Sequence, residues 1–146
     1  MKKSITATFA DWVETHVQEA LPDELKSLPV LDERKKDLKQ SIQKSIASGL
    51  QSCIALSTPA MQKEGDASFG NTQFRVQVEV ALMSNFVLNK AFNSYELAEH
   101  LFRSFVGAEF MSGPICAYDV GVDSLTTMPE GSKVLHTFSV YTVVTL

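Results

Sequence analysis

The sequence predicts an α+β fold: a largely antiparallel sheet of about four strands, with two N-terminal helices and one helix between strands 2 and 3, packed on one face. Three observations carry this. In residues 72–83, TQFRVQVEVALM, the residues Phe74, Val76, Val78, Val80 and Leu82 alternate with Gln73, Arg75, Gln77 and Glu79, so a pleated strand sorts the two sets onto opposite faces. Three other stretches repeat their apolar residues at the spacing of an amphipathic helix. The elements run helix, helix, strand, strand, helix, strand, strand, which favours hairpins over parallel crossovers. The 146 residues suit one domain, helical over 1–49 and sheet plus helix over 50–146.

Residues 5–21, ITATFADWVETHVQEAL, place Phe9, Trp12, Val13, His16, Val17 and Ala20 in one stripe. Thr6 or Thr8 is expected to cap this helix, with acids in its first turns, and Pro22 ends it. Residues 23–29 are a turn-rich connection. A second helix opens near Asp32 with the stripe Leu31, Leu38, Ile42 and Ile46, and Gly49 stands where a left-handed C-terminal residue belongs. LQSCIALS, 50–57, is a short apolar strand bounded by Gly49 and Pro59. The stretch 57–72 holds Pro59, Gly65 and Gly70 with mixed charge and no period. It is expected to be a long exposed connection, a wide hairpin that is either functional or disordered. The third helix begins at Asn93 or Ser94, with Asn93 and Glu96 at capping-box spacing. Its face is Leu97, Ala98, Leu101, Phe102, Phe105 and Val106, and Gly107 or Gly113 marks its end region. Two strands, 115–125 and 134–146, close the chain around a turn at Pro129, Glu130 and Gly131.

Composition narrows the function. Apolar residues make up 45% and charged ones 21%, and the longest apolar runs fall far short of the ~20 residues of a spanning helix. The start, MKKSITATFADW, lacks an apolar signal core, so the mature chain is expected to begin at Met1 in the cytoplasm. A net charge of −4 argues against sequence-specific nucleic-acid binding. The one basic cluster, Arg34, Lys35 and Lys36 with Lys39 and Lys44, is expected on a solvated helix face. Cys53 and Cys116 sit in apolar contexts without a CxxC and are expected to be buried thiols.

No constellation specifies a chemistry. His16, His100 and His136 lack ligand spacing and are expected to be hydrogen-bonded or at the surface. Asp119 and Asp123, with Gly121 between them, share one solvent-facing side of a strand. There is no GxSxG elbow, no serine–histidine pairing, no GxGxxG and no P-loop. Catalytic, cofactor-binding and metal-binding residues are therefore not expected, and an enzyme would have to assemble its site from distant positions.

Other features point to assembly. Arg75 and Glu79 stand four apart on one strand face, placed for ladder ion pairs with neighbouring strands or subunits. The strands at 72–83 and 134–146 are long against a usual ~5–6 residues. The last carries apolar residues on both faces near its end, with Tyr141, Val143, Val144 and Leu146. Such a strand pairs with another chain unless helices and the long loop cover it. A homo-oligomer is expected.

The helical start, the strand SCIALS, a long hairpin loop, the strand FRVQVEVALM, the helix YELAEHLFRSFVG and the closing strands CAYDVGVDSL and VLHTFSVYTVVTL form an order that resembles a known group. It is similar to the small α+β tail-terminator and neck (head–tail joining) proteins of tailed bacteriophages, prophages and phage-derived contractile particles. The resemblance spans most of the chain and is one of element order and patterning. It implies a non-enzymatic subunit of a hexameric ring at the head-proximal end of the tail tube. Such a ring is a virion component assembled in the bacterial cytoplasm, and its partners are the tail tube and the head connector. It implies further that the loop and the long strands carry subunit and partner contacts: Met61, Gln62, Lys63, Glu64 and Phe69 from the loop, and Arg75, Glu79, Tyr141 and Val143 from the strands. Two other readings stand beside it. One is a small-molecule-binding or catalytic α+β domain with a pocket between sheet and helices, the other an adaptor that presents a strand edge to peptides.

Overall fold

The computed structural model describes residues 4–66, 72–85, 89, 91–112 and 117–145. In chain order they form α1 (Ile5–Ala20), a 3-10 turn (Asp23–Leu25), β1 (Val30–Asp32), α2 (Leu38–Ala47), β2 (Ser52–Leu56), β3 (Ala60–Asp66) and β4 (Thr72–Asn85). Then follow α3 (Ser94–Ser104), β5 (Glu109–Met111), β6 (Ala117–Val122), β7 (Thr126–Glu130) and β8 (Lys133–Thr145). The class is α+β, but the described residues contain eight strands rather than about four, and the sheet is mixed because β1 runs parallel to β2.

Its spine is the antiparallel pair β4–β8, joined without interruption from Gln73–Thr145 to Asn85–Lys133. Each spine strand is longer than any neighbour, so each outer edge takes two shorter strands. β2 pairs with Val80–Ser84 of β4, and β3 with the Thr72–Gln77 end. On the other side β7 pairs with Lys133–Thr137 of β8 and β6 with Val140–Thr142. β1 extends the sheet beyond β2, and β5 extends it beyond β6.

The stretch 57–72, expected as a long exposed connection and wide hairpin, is exposed over 60–64 and forms a hairpin with β4, but its arm is a strand, β3, rather than a loop. AMQKEGD has neither alternation nor β-branched residues, yet the vacant end of β4 supplies a ladder for it, with a register shift between Lys63 and Gly65. A second correction falls at Val30–Asp32, expected to open a helix and found as a strand beside β2. α2 starts later, capped by Asp37, whose carboxylate accepts the Lys39 N–H. α1 is capped by Ser4, not by Thr6 or Thr8, both of which lie inside it, and its first turn holds no acid. The third helix begins as expected: the Asn93 side chain accepts the N–H groups of Tyr95 and Glu96. Gly49 and Gly107 follow the ends of α2 and α3 with positive φ, while Gly113 lies outside the described residues. At the β7–β8 hairpin Gly131 takes φ 64°, the left-handed geometry a two-residue turn needs.

Helices cover both faces, unequally. α1 and α3 bury Phe9, Val13, Val17, Leu97 and Leu101 against the even-numbered residues of the spine, Val76, Val78, Val80, Phe138 and Val140. Val106, expected on that face, is 64% exposed, because α3 ends at Ser104 and the chain turns away. α2 lies on the opposite face, against expectation, and covers only the β1–β2 end, where Leu31, Ile46 and Cys53 form a small second core. Burial pushes the Cys53 thiol up to about 11, which leaves it protonated and inert. Cys116 lies outside the described residues.

A charged cluster centred on buried Asp32 fastens α1 to the turn before α2. Asp32 is buried, and Arg34 grips it through Nε and Nη2, the latter at 2.6 Å. Nη2 also donates to Asp11 at 2.9 Å, and Lys35 reaches Glu14 at 2.9 Å. Burial opposes the charge on Asp32, but the hydrogen bonds from Arg34 outweigh it and hold the carboxyl at about 2. Arg34 and Lys35 therefore belong to a cross-element clamp, not to a solvated helix face. Arg34→Met is expected to destabilise the protein by about 3 kcal/mol in urea unfolding, because it leaves a buried carboxylate unpaired. Adding Asp32→Asn to that variant should recover part of the loss, and the absence of any recovery would contradict the clamp.

Candidate functional site

The uncovered part of the sheet opposite α1 and α3 is a floor built from the odd-numbered residues of β4, β8 and β6. The ladder sets Arg75 against Val143, Gln77 against Tyr141 and Glu79 against Ser139 on this floor, and Tyr141 against Gly121. The intervening residues Val76, Val78, Val140 and Thr142 are buried beneath the helices. Four of the residues expected to make contacts, Arg75, Glu79, Tyr141 and Val143, thus come together on one surface.

Arg75 crosses this floor. Its guanidinium carbon lies 3.7 Å from the centre of the Tyr141 ring. Nη2 donates to Asp123 Oδ2 at 2.9 Å and Nε to Gln77 Oε1 at 3.2 Å. Of the ion pairs anticipated with neighbouring strands or subunits, Arg75 makes one with Asp123, just past β6, and Glu79 has no ion-pair partner among the described residues. Tyr141 lies across Gly121, where an added Cβ would stand 2.4 Å from the ring carbon Cζ. Glycine is what lets the ring rest on the strand. A shallow hollow of about 490 Å³ opens beside it, lined by Gln73, Asp119, Gly121, Tyr141 and Val143. A groove of about 380 Å³ runs between α2 and the floor, lined by Leu38, Ile42, Glu79, Ala81, Met83 and Leu135.

Four of the five remaining expected contact residues, Met61, Gln62, Lys63 and Glu64, lie on β3. Met61 pairs with Val76, Gln62 with Arg75 and Lys63 with Phe74, so only Gln62 of the three shares the floor. Glu64 falls at the register shift, and Phe69 lies outside the described residues. β3, β5 and β7 have no outer partner among the described residues, and each carries an exposed methionine: Met61, Met111 and Met128. β5 is only three residues long and β7 contains Pro129, both features that blunt an edge.

The histidines are fasteners. His16 Nε2 meets the carbonyl and hydroxyl of Ser104 at 3.0 and 3.2 Å, and His100 Nε2 meets the Ala20 carbonyl at 2.7 Å, so both tie α1 to α3. His136 is buried, with Nδ1 2.8 Å from Thr127 Oγ1 and Nε2 3.0 Å from Ser94 Oγ. A serine–histidine pair does exist, then, across a separation in sequence that leaves no local signal. A hydroxyl stands where a triad would place a carboxylate on Nδ1. A hollow of about 230 Å³, lined by Ser84, Asn89, Phe92, Asn93, Ser94 and Tyr95, adjoins it. Among the described residues no group of three or more His, Cys, Asp or Glu is placed to hold a metal ion, and no helix is long and apolar enough to cross a membrane. No protein-family model matches the chain, and no curated protein is significantly similar to it.

Two measurements check this geometry. Gly121→Ala is expected to swing the Tyr141 ring aside and lose the Arg75 stacking, at a cost of about 1 kcal/mol. In a Tyr141→Ala background the same change should cost little, and an equal cost in both backgrounds would show that the ring does not lie over Gly121. Burial pushes the imidazoles of His136 and His16 below their usual value, in His16 against the opposing effects of the Ser104 carbonyl and Glu19. Because each folded value lies below the unfolded one, their stabilisation is complete above about pH 6.5 and is lost as pH falls through the folded values. The melting temperature should fall between about pH 7.5 and pH 5.5, and His136→Gln should lower it at the upper pH while flattening that dependence. A slope unchanged by His136→Gln would remove His136 from the account.

Proposed function

We propose that this chain is a non-enzymatic assembly protein of a phage or prophage-like tail, a tail-terminator or neck subunit that forms a ring. In this reading it assembles in the cytoplasm of the bacterial host and is carried in the virion, against the tail tube on one side and the head connector on the other. The observation that supports it is the uncovered floor of the β4–β8 spine, on which Arg75, Tyr141 and Val143 stand half-buried beside exposed Glu79. A surface of that kind, continuous with an apolar groove, suits burial against another protein better than permanent contact with water. The edge of β3 beside the floor, without an outer partner among the described residues, offers main-chain groups to the same neighbour.

A second reading, a small-molecule-binding domain, draws on the Ser94–His136 pair beside its hollow. Light scattering and a thermal-shift screen separate the two. The ring reading expects a discrete species of about six subunits at tens of micromolar, with rings in negative stain. The ligand reading expects a monomer whose melting temperature rises with a particular metabolite. A protein that stays monomeric at every concentration and in the presence of tail tubes would overturn the ring.

A further inference from the structure

The floor and the helix that borders it carry opposite charge. Glu79, Asp119 and Asp123 all belong to the floor, where Arg75 is already paired with Asp123 and the other cation on that face, Lys133, stands at the far end of β8. Glu79 and Asp119 are exposed and have no ion-pair partner among the described residues. α2, LKQSIQKSIA, carries no acid. Its charges are Lys39 and Lys44, exposed at the two borders of an outer face with Gln40, Gln43 and Ala47 between them. Neither lysine has an ion-pair partner among the described residues. α2 stands over β1 and β2, whereas Asp119 lies on β6, three strand spacings across at ~4.8 Å each. Asp119 is thus out of reach of the lysines of its own chain, and Glu79, which lines the groove beside α2, is not paired with them among the described residues.

We propose that α2 of one copy docks on the floor of a second copy, with Lys39 and Lys44 against Glu79 and Asp119 and the Gln43 side of the helix over Tyr141 and Val143. This rests on the assembly reading and names the surfaces that carry it. The α2 ridge and the floor are different patches of the chain, so successive copies joined in this way form a head-to-tail series, the kind of contact that makes a ring when the rotation between copies closes. Two copies facing each other close the same contact as a pair.

Charge reversal tests the contact. The double variant Lys39→Glu/Lys44→Glu bears an acidic ridge and an acidic floor, and Glu79→Lys/Asp119→Lys bears a basic ridge and a basic floor. All four positions are exposed, and circular dichroism melting verifies that each variant folds. Should either fail to fold, Lys39→Gln/Lys44→Gln and Glu79→Gln/Asp119→Asn take their place, each expected to weaken assembly at least tenfold. Each reversal alone should be monomeric at a concentration where the native chain assembles, and assembly of the native chain should weaken with salt. Mixed in equal amounts, the two variants should assemble together, because each ridge then meets a floor of opposite sign. Assembly by either variant alone, as strong as that of the native chain, overturns this docking while leaving the ring reading intact. A two-copy mass that is lost on reversal and regained on mixing keeps the docking and overturns the ring. A native chain that is monomeric throughout overturns both.

Discussion

The β4–β8 ladder is the constraint on which the remaining structure depends. Its two strands lie far apart in the chain, from Gln73 against Thr145 to Asn85 against Lys133, so the loop-closure entropy of bringing them together must be offset by the ladder and its buried side chains. Once formed, it fixes the rest by length alone. Neither β2 nor β3 can cover β4, and neither β6 nor β7 can cover β8, so the short strands share the edges. β3 depends on this most, since AMQKEGD has little strand tendency of its own and becomes a strand because β4 offers it vacant backbone partners.

The ladder also decides which face is dry. Alternation sends Val76, Val78, Val80, Phe138 and Val140 beneath α1 and α3, where each fully buried aliphatic or aromatic side chain contributes roughly 1.5–3 kcal/mol. Among the described residues the odd-numbered face receives only the short α2 at one end. On the rest of that face, polar groups cap apolar ones, as in the layering of Arg75 over Tyr141 over Gly121. An exposed cation–π contact of this kind contributes about 0.5–1 kcal/mol, too little to rival the dry face. Its effect is to hold one arrangement of the floor, with acids at the rim and an aromatic ring at the centre, and that arrangement underlies both the assembly reading and the ridge-on-floor contact.

Buried polar groups join elements that apolar packing alone would leave free to slide. Arg34, held by buried Asp32, sets the turn before α2 against α1 through Asp11, and His136 joins the β7–β8 hairpin to the first turn of α3 through Thr127 and Ser94. No buried side-chain polar atom among the described residues lacks a partner, so these fasteners are satisfied and each favours one relative placement.

Period and capping chemistry made α1, the later part of α2, α3, β4 and β8 legible in the sequence, because those signals are local: the stripe of Phe9, Val13 and Val17, the Asn93 cap, and the alternation from Phe74 to Leu82. The same alternation placed Arg75 and Glu79 on β4, and the β-branched and aromatic run over 134–146 placed Tyr141 and Val143 on β8. What no local pattern contains is partnership. β1 is three residues beside β2, and β3 is a charged run completed by β4. The placement of α2 on the far face follows from Leu31 and Cys53 pointing away from the main core. Asp123 as the partner of Arg75, Gly121 as the seat of Tyr141, and the Ser94–His136 pair arise only when distant segments meet in register. The sequence alone determined which segments carry an apolar face, since that is written in side-chain periodicity. Which of those faces were covered, and by what, was decided only by the tertiary structure, because covering a face takes contacts between residues that no window of sequence holds together.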